Sequence, residues 1–255
     1  MKTKIPTLSF CITCMNRLYQ IERTLGKNLA DNRMFGHLVE FILVDFGSKD
    51  GLMDWIKQNF MDDIESGLLK YYYTDKMKSW HASIAKNTSH LYANGDVLMN
   101  LDCDNYTGYN GGKFVIQQFM NIDDDIILHQ VYIYLDGSFG RIGMRREFFH
   151  AIGGYNEAFA PMGYEDIDLL ERLKALGLRY VHAGDRRYNN AIPNTREESI
   201  GNIIHKVEWD EMNRSNRLMS DRNISEGRVA VNVGVEWGIR EDIFDIYGNP
   251  AIFKT

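Results

Sequence analysis

Two aspartates that follow a buried strand are the first candidates for chemistry in this sequence. Asp102 and Asp104 close the apolar run 97–101, which has the length and flanking residues of a buried strand. Side chains two apart on extended backbone share a face, and carboxylates are ligands that Mg²⁺ and Mn²⁺ prefer. The pattern indicates a divalent cation bridging to a phosphate. Its alternative is a plain acidic turn, because aspartate is common in turns.

A second acidic group opens a predicted helix. Glu165, Asp166 and Asp168 fall in the first turn of a helix whose leucine stripe runs over 169–176. The helix dipole stabilises carboxylates there, so a structural role alone would account for them. Gly163 lies just before these acids and would let a ligand approach the backbone closely.

Polar residues near the other predicted strand ends complete the candidate set. Asn16 can cap the helix that follows the first strand, and Arg17 is either functional or a solvated surface charge. Asp45 ends the second strand, where it either holds a nucleobase or ribose or caps the next helix. Lys86 and Asn87 are predicted on a helix face that points away from the core, beside the stripe of Ile84, Ala85, Thr88 and Leu91.

The elements that must position these residues alternate between strand and helix. Strands are predicted at 7–15, 39–45, 68–73, 97–101, 126–135, 138–144 and 178–182. This order is typical of an α/β fold with a mostly parallel sheet and right-handed crossovers. Helical segments are expected at 145–152, 165–176 and 195–218, and 229–237 alternates weakly, as an edge strand would. We expect one domain over 1–225 and a C-terminal appendage over 226–255.

Composition narrows the function classes. The net charge of −6 over 255 residues gives no basic footprint for nucleic acid. The three cysteines are sparse and odd in number, as in proteins of a reducing cytoplasm. The N-terminus lacks the apolar core of a signal peptide, and no apolar run reaches the roughly 18 residues of a transmembrane helix. We therefore expect a cytoplasmic protein that could contact the inner face of a membrane. The sequence leaves its oligomeric state open.

Five motifs in order carry a resemblance to a known family. They are the segments 13–17 (TCMNR), 44–51 (VDFGSKDG), 86–87 (KN), 101–105 (LDCDN), and the pair 152–157 with 163–172 (IGGYNE and GYEDIDLLER). Together they resemble the glycosyltransferases of family-2 type, and the last block is similar to that of galactosyltransferases and chondroitin polymerases. The resemblance implies the GT-A fold, a mixed and mostly parallel sheet flanked by helices, with a nucleotide-binding half (1–107) and an acceptor half (108–225). Two positions depart from the pattern: Phe46 replaces an acid of the second motif, and Asn105 replaces a frequent third acid of the fourth.

By this resemblance the protein would transfer a hexose or N-acetylhexosamine from a UDP-sugar to an acceptor hydroxyl, in glycan or polysaccharide synthesis. It implies a Mn²⁺ or Mg²⁺ ion held by Asp104 and His205, with Asp102 on the ribose or on the ion through water. His182 competes with His205 for the metal. Direct displacement assisted by a single base would invert the anomeric carbon, with Asp166 as that base and Glu165 binding substrate hydroxyls.

The remaining roles that the resemblance implies concern the donor and the acceptor sugar. Thr13 and Asp45 would hold the nucleoside, and Asn16 would also belong to the donor-binding residues. Arg17, Lys86 and Arg141 would supply positive charge near the phosphates. The aromatic residues suited to stacking on sugar rings are Trp80, Tyr164 and Trp209.

Two other classes of protein remain open. A nucleotidyltransferase also uses an acidic strand end with a metal, but it usually has a first loop rich in glycine and lysine, and here that loop is Cys14 to Arg17. A noncatalytic nucleotide-sugar-binding module would not need Glu165 and Asp166 across the cleft from the metal.

Overall fold

The computed structural model describes residues 4–122, 125–132, 137–205 and 207–253. Its centre is an eight-stranded sheet of order β10-β3-β2-β1-β4-β7-β6-β8, and β5 pairs separately with β9. The strands are β1 (Leu8–Cys14), β2 (Val39–Asp45), β3 (Leu69–Tyr73), β4 (Val97–Asn100), β5 (Asn105–Tyr106), β6 (Ile126–His129), β7 (Ile142–Arg145), β8 (Arg179–His182), β9 (Asn190–Ala191) and β10 (Phe244–Asp245).

Helices cover both faces of this sheet. They are α1 (Leu18–Asn32), α2 (Leu52–Asn59), α3 (Met61–Glu65), α4 (Ala82–Leu91), α5 (Gly111–Asn121), α6 (Arg146–Ala151), α7 (Glu165–Ala175), α8 (Arg196–Ile200) and α9 (Trp209–Ser225), with one 3₁₀ turn at Arg33–Phe35. Within the described residues, no helix combines the length and apolarity needed to cross a membrane.

The sheet is mixed and mostly parallel, as predicted. β1 pairs in parallel with β2 and β4, and β2 pairs in parallel with β3. β7 is antiparallel to both β4 and β6, and β8 runs parallel to β6. Because β1, β2 and β4 point the same way, their carboxyl ends meet at one edge of the sheet, where open α/β sheets bind ligands.

Two apolar layers fix the central strands. All seven residues of β1 are buried, as expected for a strand covered on both faces. Phe10, whose ring stacks on Phe41 with centroids 5.0 Å apart, belongs to the layer that packs under α1, α2 and α5. Cys11, the next residue along, belongs to the opposite layer, which packs against α4, α6 and α7.

Several element boundaries differ from those predicted. The helical segment 195–218 is two helices, α8 and α9, and 229–237 forms no strand, so both of those predictions are wrong. The predicted strand 126–135 is confirmed over Ile126–His129, and its last three residues lie outside the described part.

The segment that follows α9 packs against the main sheet. β10 lies antiparallel to β3 and forms one edge of the eight strands. Ile243 and Ile246 beside it are buried, and the backbone N–H of Ala251 donates to the carbonyl of Ile243 at 2.9 Å. The residues that we expected to form an appendage thus contribute a strand to the sheet.

Candidate functional site

A cavity of about 480 Å³ opens at the carboxyl edge of β1 and β4. Eleven of the residues singled out from the sequence line it: Thr13, Arg17, Trp80, Lys86, Asp102, Asp104, Gly163, Tyr164, Glu165, Asp166 and Trp209. Seven others do not line it: Asn16, Asp45, Asn87, Arg141, Asp168, His182 and His205. The structure therefore brings both predicted acidic groups into one cavity.

Gly140 marks the place where the two acidic groups converge. A Cβ atom added at this glycine would lie 2.9 Å from Asp102 Oδ2 and 3.0 Å from Asp166 Oδ2. Two carboxylates from distant parts of the chain thus flank a single backbone position. The Asn100 amide fixes this arrangement by donating to Asp102 Oδ1 and to the Gly140 carbonyl, each at 3.0 Å.

Lys86 forms a buried ion-pair cluster with the acids of α7. Its Nζ lies 2.7 Å from Asp166 Oδ1 and 3.2 Å from Glu165 Oε1, and its side chain is 6% exposed. Burial raises the pKa of Asp166 to about 7 even though the Lys86 charge opposes the rise. Burial disfavours the Lys86 ammonium, but Asp166 and Glu165 hold its pKa well above the ordinary lysine value. A carboxylate poised near neutrality suits a general base.

The prediction that Lys86 and Asn87 point away from the core is wrong. Both are buried. The Asn87 amide donates to the Tyr155 carbonyl at 2.8 Å and its oxygen accepts from the Tyr155 N–H at 2.7 Å. In this structure the Lys86 charge is directed at Glu165 and Asp166, whereas the resemblance placed it on the donor phosphates.

Asp104 is held by amide groups that orient it without neutralising it. Its Oδ1 accepts from Asn105 Nδ2 at 2.5 Å, and its Oδ2 accepts from the Asn194 amide. Burial, with the charge of Asp102 in second place, raises the pKa of Asp104 to about 6. Two neighbouring carboxylates whose hydrogen-bond partners are neutral amides have the donor chemistry that a hard divalent cation requires.

The predicted histidine ligand is not brought to these aspartates. Among the described residues, no three His, Cys, Asp or Glu side chains are grouped so that they could hold a metal ion. His205 is exposed, and His182 Nε2 is engaged with the Val131 carbonyl at 2.7 Å. Asp102 and Asp104 line the cavity together. A histidine ligand for the metal stays a prediction.

Arg17 and Arg141 have different positions. Arg17 lines the cavity, donates to Gln20 Oε1 at 2.9 Å and lowers the pKa of Asp104 through its charge, although burial outweighs that effect. Arg141 is buried outside the cavity and donates to the Tyr106 carbonyl at 2.7 Å. Arg17 can face a phosphate from this position, whereas Arg141 braces the loop after Asp104.

Asp45 and Asn16 accept hydrogen bonds from neighbouring parts of the chain in this structure. Asp45 Oδ1 accepts from the Ser48 N–H at 2.8 Å and its Oδ2 accepts from Tyr71 Oη at 2.6 Å. Asp45 is also buried, at 1% exposure, so its carboxylate is closed to a nucleoside in this arrangement. The Asn16 side chain accepts from the Lys49 N–H at 2.8 Å, so the prediction that Asn16 caps α1 is wrong.

The sequence reasoning missed a buried polar stripe on α1. It consists of residues at every fourth position of the helix, Gln20, Thr24, Asn28 and Asn32. Thr24 Oγ1 donates to the Cys103 carbonyl at 2.6 Å, and Asn28 Nδ2 donates to the Asn105 carbonyl at 2.8 Å. The stripe therefore holds the backbone on both sides of Asp104. Its regular spacing was the available signal, since polar residues on one helix line beside an apolar face are typical of a second buried surface.

Comparisons with known proteins agree with this architecture. A family model described as the N-terminal domain of galactosyltransferase matches residues 134–195, less than half of the chain. No curated protein matches the sequence.

Solved structures with the same fold are distant in sequence. The mannosyltransferase PcManGT from Pyrobaculum calidifontis, in complex with GDP-Man and Mn²⁺, has a TM-score of 0.61 at 15% identity over 77% of this chain and 59% of its own. S. aureus TarS 1-349, in complex with UDP-GlcNAc, has a TM-score of 0.61 at 16% identity over 75% of this chain and 60% of its own. The chain therefore matches about three fifths of each protein, and the predicted GT-A fold is confirmed.

Proposed function

We propose that this GT-A chain is a metal-dependent, inverting glycosyltransferase that moves a hexose or N-acetylhexosamine from a UDP-sugar to an acceptor hydroxyl, in glycan or polysaccharide synthesis. The observation that carries the proposal is the convergence of Asp102 and Asp166 on Gly140 in one cavity. The galactosyltransferase family match and the nucleotide-sugar complexes of the two similar structures support the same class.

The reaction assigned to Asp166 is a proton transfer coupled to direct displacement. The acceptor oxygen forms a bond to the anomeric carbon of the donor while its proton passes to Asp166 Oδ2. The bond from that carbon to the diphosphate oxygen breaks, and its electron pair leaves with UDP. One displacement inverts the anomeric configuration, and a positioned base contributes about 10²–10⁴-fold to such a step.

The leaving diphosphate needs positive charge. A divalent cation held by Asp102 and Asp104 would supply Lewis-acid stabilisation of the leaving oxygen. Arg17 lines the same cavity and would bind phosphate oxygens through its guanidinium group. Thr13 lines the cavity at the end of β1, where it would contact the nucleoside.

The Lys86 cluster favours an enzyme over a binding module. A module that only held a nucleotide sugar would gain nothing from two carboxylates buried beside the donor site. Burying them has a cost, because taking charges out of water is unfavourable unless they are well paired. Here they are paired by Lys86 at 2.7 and 3.2 Å, which keeps a base ready next to the cavity.

A nucleotide-sugar screen tests the proposal. Thermal unfolding is measured with a panel of nucleotide sugars, with and without Mn²⁺, because a ligand at 100 times its Kd stabilises the folded state by about 2.7 kcal/mol. The donor that stabilises most is then assayed for release of its nucleotide, alone and with saccharide acceptors. Thermal stabilisation without any release of the nucleotide would indicate a binding module. Release of pyrophosphate from nucleoside triphosphates would indicate a nucleotidyltransferase.

Asp104→Asn is expected to abolish the metal-dependent part of UDP binding. The amide keeps the shape of the side chain but removes one of the two charges offered to the cation. Calorimetric titration of UDP in the presence of Mn²⁺ should show affinity falling at least tenfold, to the level seen without metal. Asp54→Asn on the exposed face of α2 is the matched control. Unchanged affinity in Asp104→Asn would remove this residue from the metal site.

Gly140→Ala is expected to slow transfer by about 100-fold while the fold survives, because displacing reacting groups by about 1 Å has an effect of that size. The new methyl group would push against Asp102 Oδ2 at 2.9 Å and Asp166 Oδ2 at 3.0 Å. Gly26→Ala, whose methyl would meet Phe60 at an ordinary 3.6 Å, is the control. Steady-state rates and melting temperatures of both variants are compared. A Gly140→Ala enzyme with the normal rate would show that this convergence is not needed.

A further inference from the structure

A second concave site lies beside the cavity and has no part in the chemistry assigned above. It has a volume of about 620 Å³. We call it the basic cleft and define it by six of its lining residues: Arg23, Lys27, Tyr106, Tyr109, Arg186 and Arg187. Arg23 and Lys27 lie one turn apart on α1, and the two other arginines follow β8.

The basic cleft concentrates positive charge on a chain whose net charge is −6. Its lining holds four cations and one carboxylate, that of Asp31. Lys27 pairs with Asp31 at 3.1 Å, and Arg187 pairs with Asp185 at 2.6 Å. Counted over the described residues, two positive charges therefore remain in excess. The electric field that they create attracts anions, most strongly at low salt.

Two of the three arginines of the basic cleft, Arg23 and Arg186, form no ion pair with the described residues. Arg186 stacks over the Tyr132 ring with its guanidinium carbon 5.1 Å from the centroid. This contact does not neutralise its charge, and within the described part of the chain no carboxylate pairs with it. Arg23 is exposed, and no carboxylate among the described residues is within ion-pair distance of it. Guanidinium groups match phosphate and carboxylate oxygens in geometry.

The basic cleft also carries aromatic surface. Tyr109 is 67% exposed, and Tyr106 lies on β5 in the same lining. Exposed tyrosine rings beside cations suit a ligand that combines sugar rings with anionic groups, since each ring offers an apolar face and a polar tip. A bare inorganic anion would leave these rings unused.

The basic cleft and the first cavity share a wall. Pro193 lines both. Asp104 lines the first and Tyr106, two residues later, lines the second, a separation of about 7 Å along extended backbone. β9 stiffens this wall by pairing with β5. A chain molecule lying in the basic cleft can thus continue past Pro193 into the cavity of Asp102 and Asp166.

We propose that the basic cleft binds the anionic part of a saccharide acceptor, carrying phosphate or carboxylate groups, whose terminal sugar enters the first cavity. The role of this ligand as an acceptor rests on the proposed transferase function. Its binding to the basic cleft does not. The site is concave and framed by three segments of chain, a shape that fits a flexible polymer better than a flat membrane surface.

The test uses dextrans that share one backbone: phosphorylated, carboxymethylated and neutral. Binding to the full chain is measured by calorimetry at low and at physiological salt. The two anionic dextrans should bind and the neutral one should not, and salt should weaken the binding because ions screen the charges. The stronger of the two anionic dextrans identifies the anion.

Arg23→Glu/Arg186→Glu should lower the affinity for anionic dextran at least tenfold, which corresponds to about 1.4 kcal/mol. Lys57→Glu/Arg222→Glu, two exposed sites on α2 and α9, makes the same change in net charge elsewhere and should bind normally. Arg23→Gln/Arg186→Gln is the milder variant if the first folds poorly, and a melting curve checks each.

Three results would overturn the proposal. They are equal binding of neutral dextran, equal loss of binding in the two glutamate variants, and binding of phosphatidylglycerol vesicles through the basic cleft without binding of dextran. UDP binding with Mn²⁺ is measured in parallel. If it persists while dextran binding is absent, the basic cleft proposal fails and the transferase proposal stands. If anionic dextran binds but no donor sugar is transferred to any acceptor, the basic cleft proposal stands and the transferase proposal fails.

Discussion

Asp166→Asn is expected to reduce glycosyl transfer by about 10²–10⁴-fold, the contribution of a positioned general base. The amide occupies the same space beside Gly140 but cannot accept the proton of the acceptor hydroxyl. UDP and Mn²⁺ binding should survive, because Asp102 and Asp104 are untouched. Initial rates with the donor found in the screen, together with UDP titrations, measure both quantities.

Asp221→Asn on α9 is the control for that experiment, since its side chain is 56% exposed. It should transfer at the normal rate. A near-normal rate in Asp166→Asn would remove the base assignment. Loss of UDP binding in the same variant would indicate a structural role for Asp166, and not a chemical one.

Lys86→Met is expected to move the pH dependence of transfer and to destabilise the fold. The base acts when ionised, so with a pKa of about 7 for Asp166 the wild-type rate should rise with pH through about 7 and then level off. Removing Lys86 removes the cation that lowers this pKa, so the rise should shift to higher pH. Breaking a buried ion pair by deleting one partner costs about 3–5 kcal/mol.

The stability effect of Lys86→Met has a predictable sign with pH. Its deficit should shrink below pH 7, where Asp166 takes up a proton and no longer needs the cation. Lys86→Met/Glu165→Gln removes one repelling carboxylate and should return part of both the rate profile and the melting temperature. Lys57→Met on the surface of α2 is the matched control. A pH profile that is identical in Lys86→Met and wild type would contradict the electrostatic role of Lys86.

The positions of the two acidic groups at element ends were predictable, because each follows from a local sequence pattern. An apolar run that ends in Asp102 and Asp104 identifies a strand end, and α7 begins at Glu165 as its leucine stripe indicates. Parallel strands then place such ends at one edge of the sheet. That both groups share a cavity followed from the family resemblance, since no local pattern relates residue 102 to residue 166.

The orientation of Lys86 was not predictable from its own helix. A lysine beside an apolar stripe is expected in water. Its burial is compensated chiefly by Glu165 and Asp166, about 80 residues further along the chain. The expectation for His205 came from a motif alone, with no periodicity or strand end behind it, and it stays a prediction.

The edge position of β10 has a consequence for how the polypeptide is made. β10 pairs with β3, so Phe244 meets Tyr73 only after the ribosome has added 171 further residues (244 − 73). At ordinary rates of synthesis this takes on the order of ten to thirty seconds. During that time the outer backbone of β3 offers unpaired N–H and C=O groups. The nascent protein therefore passes through a stage in which a chaperone, or a neighbouring nascent chain, has access to the end of a strand, Tyr72 and Tyr73, that β10 later covers.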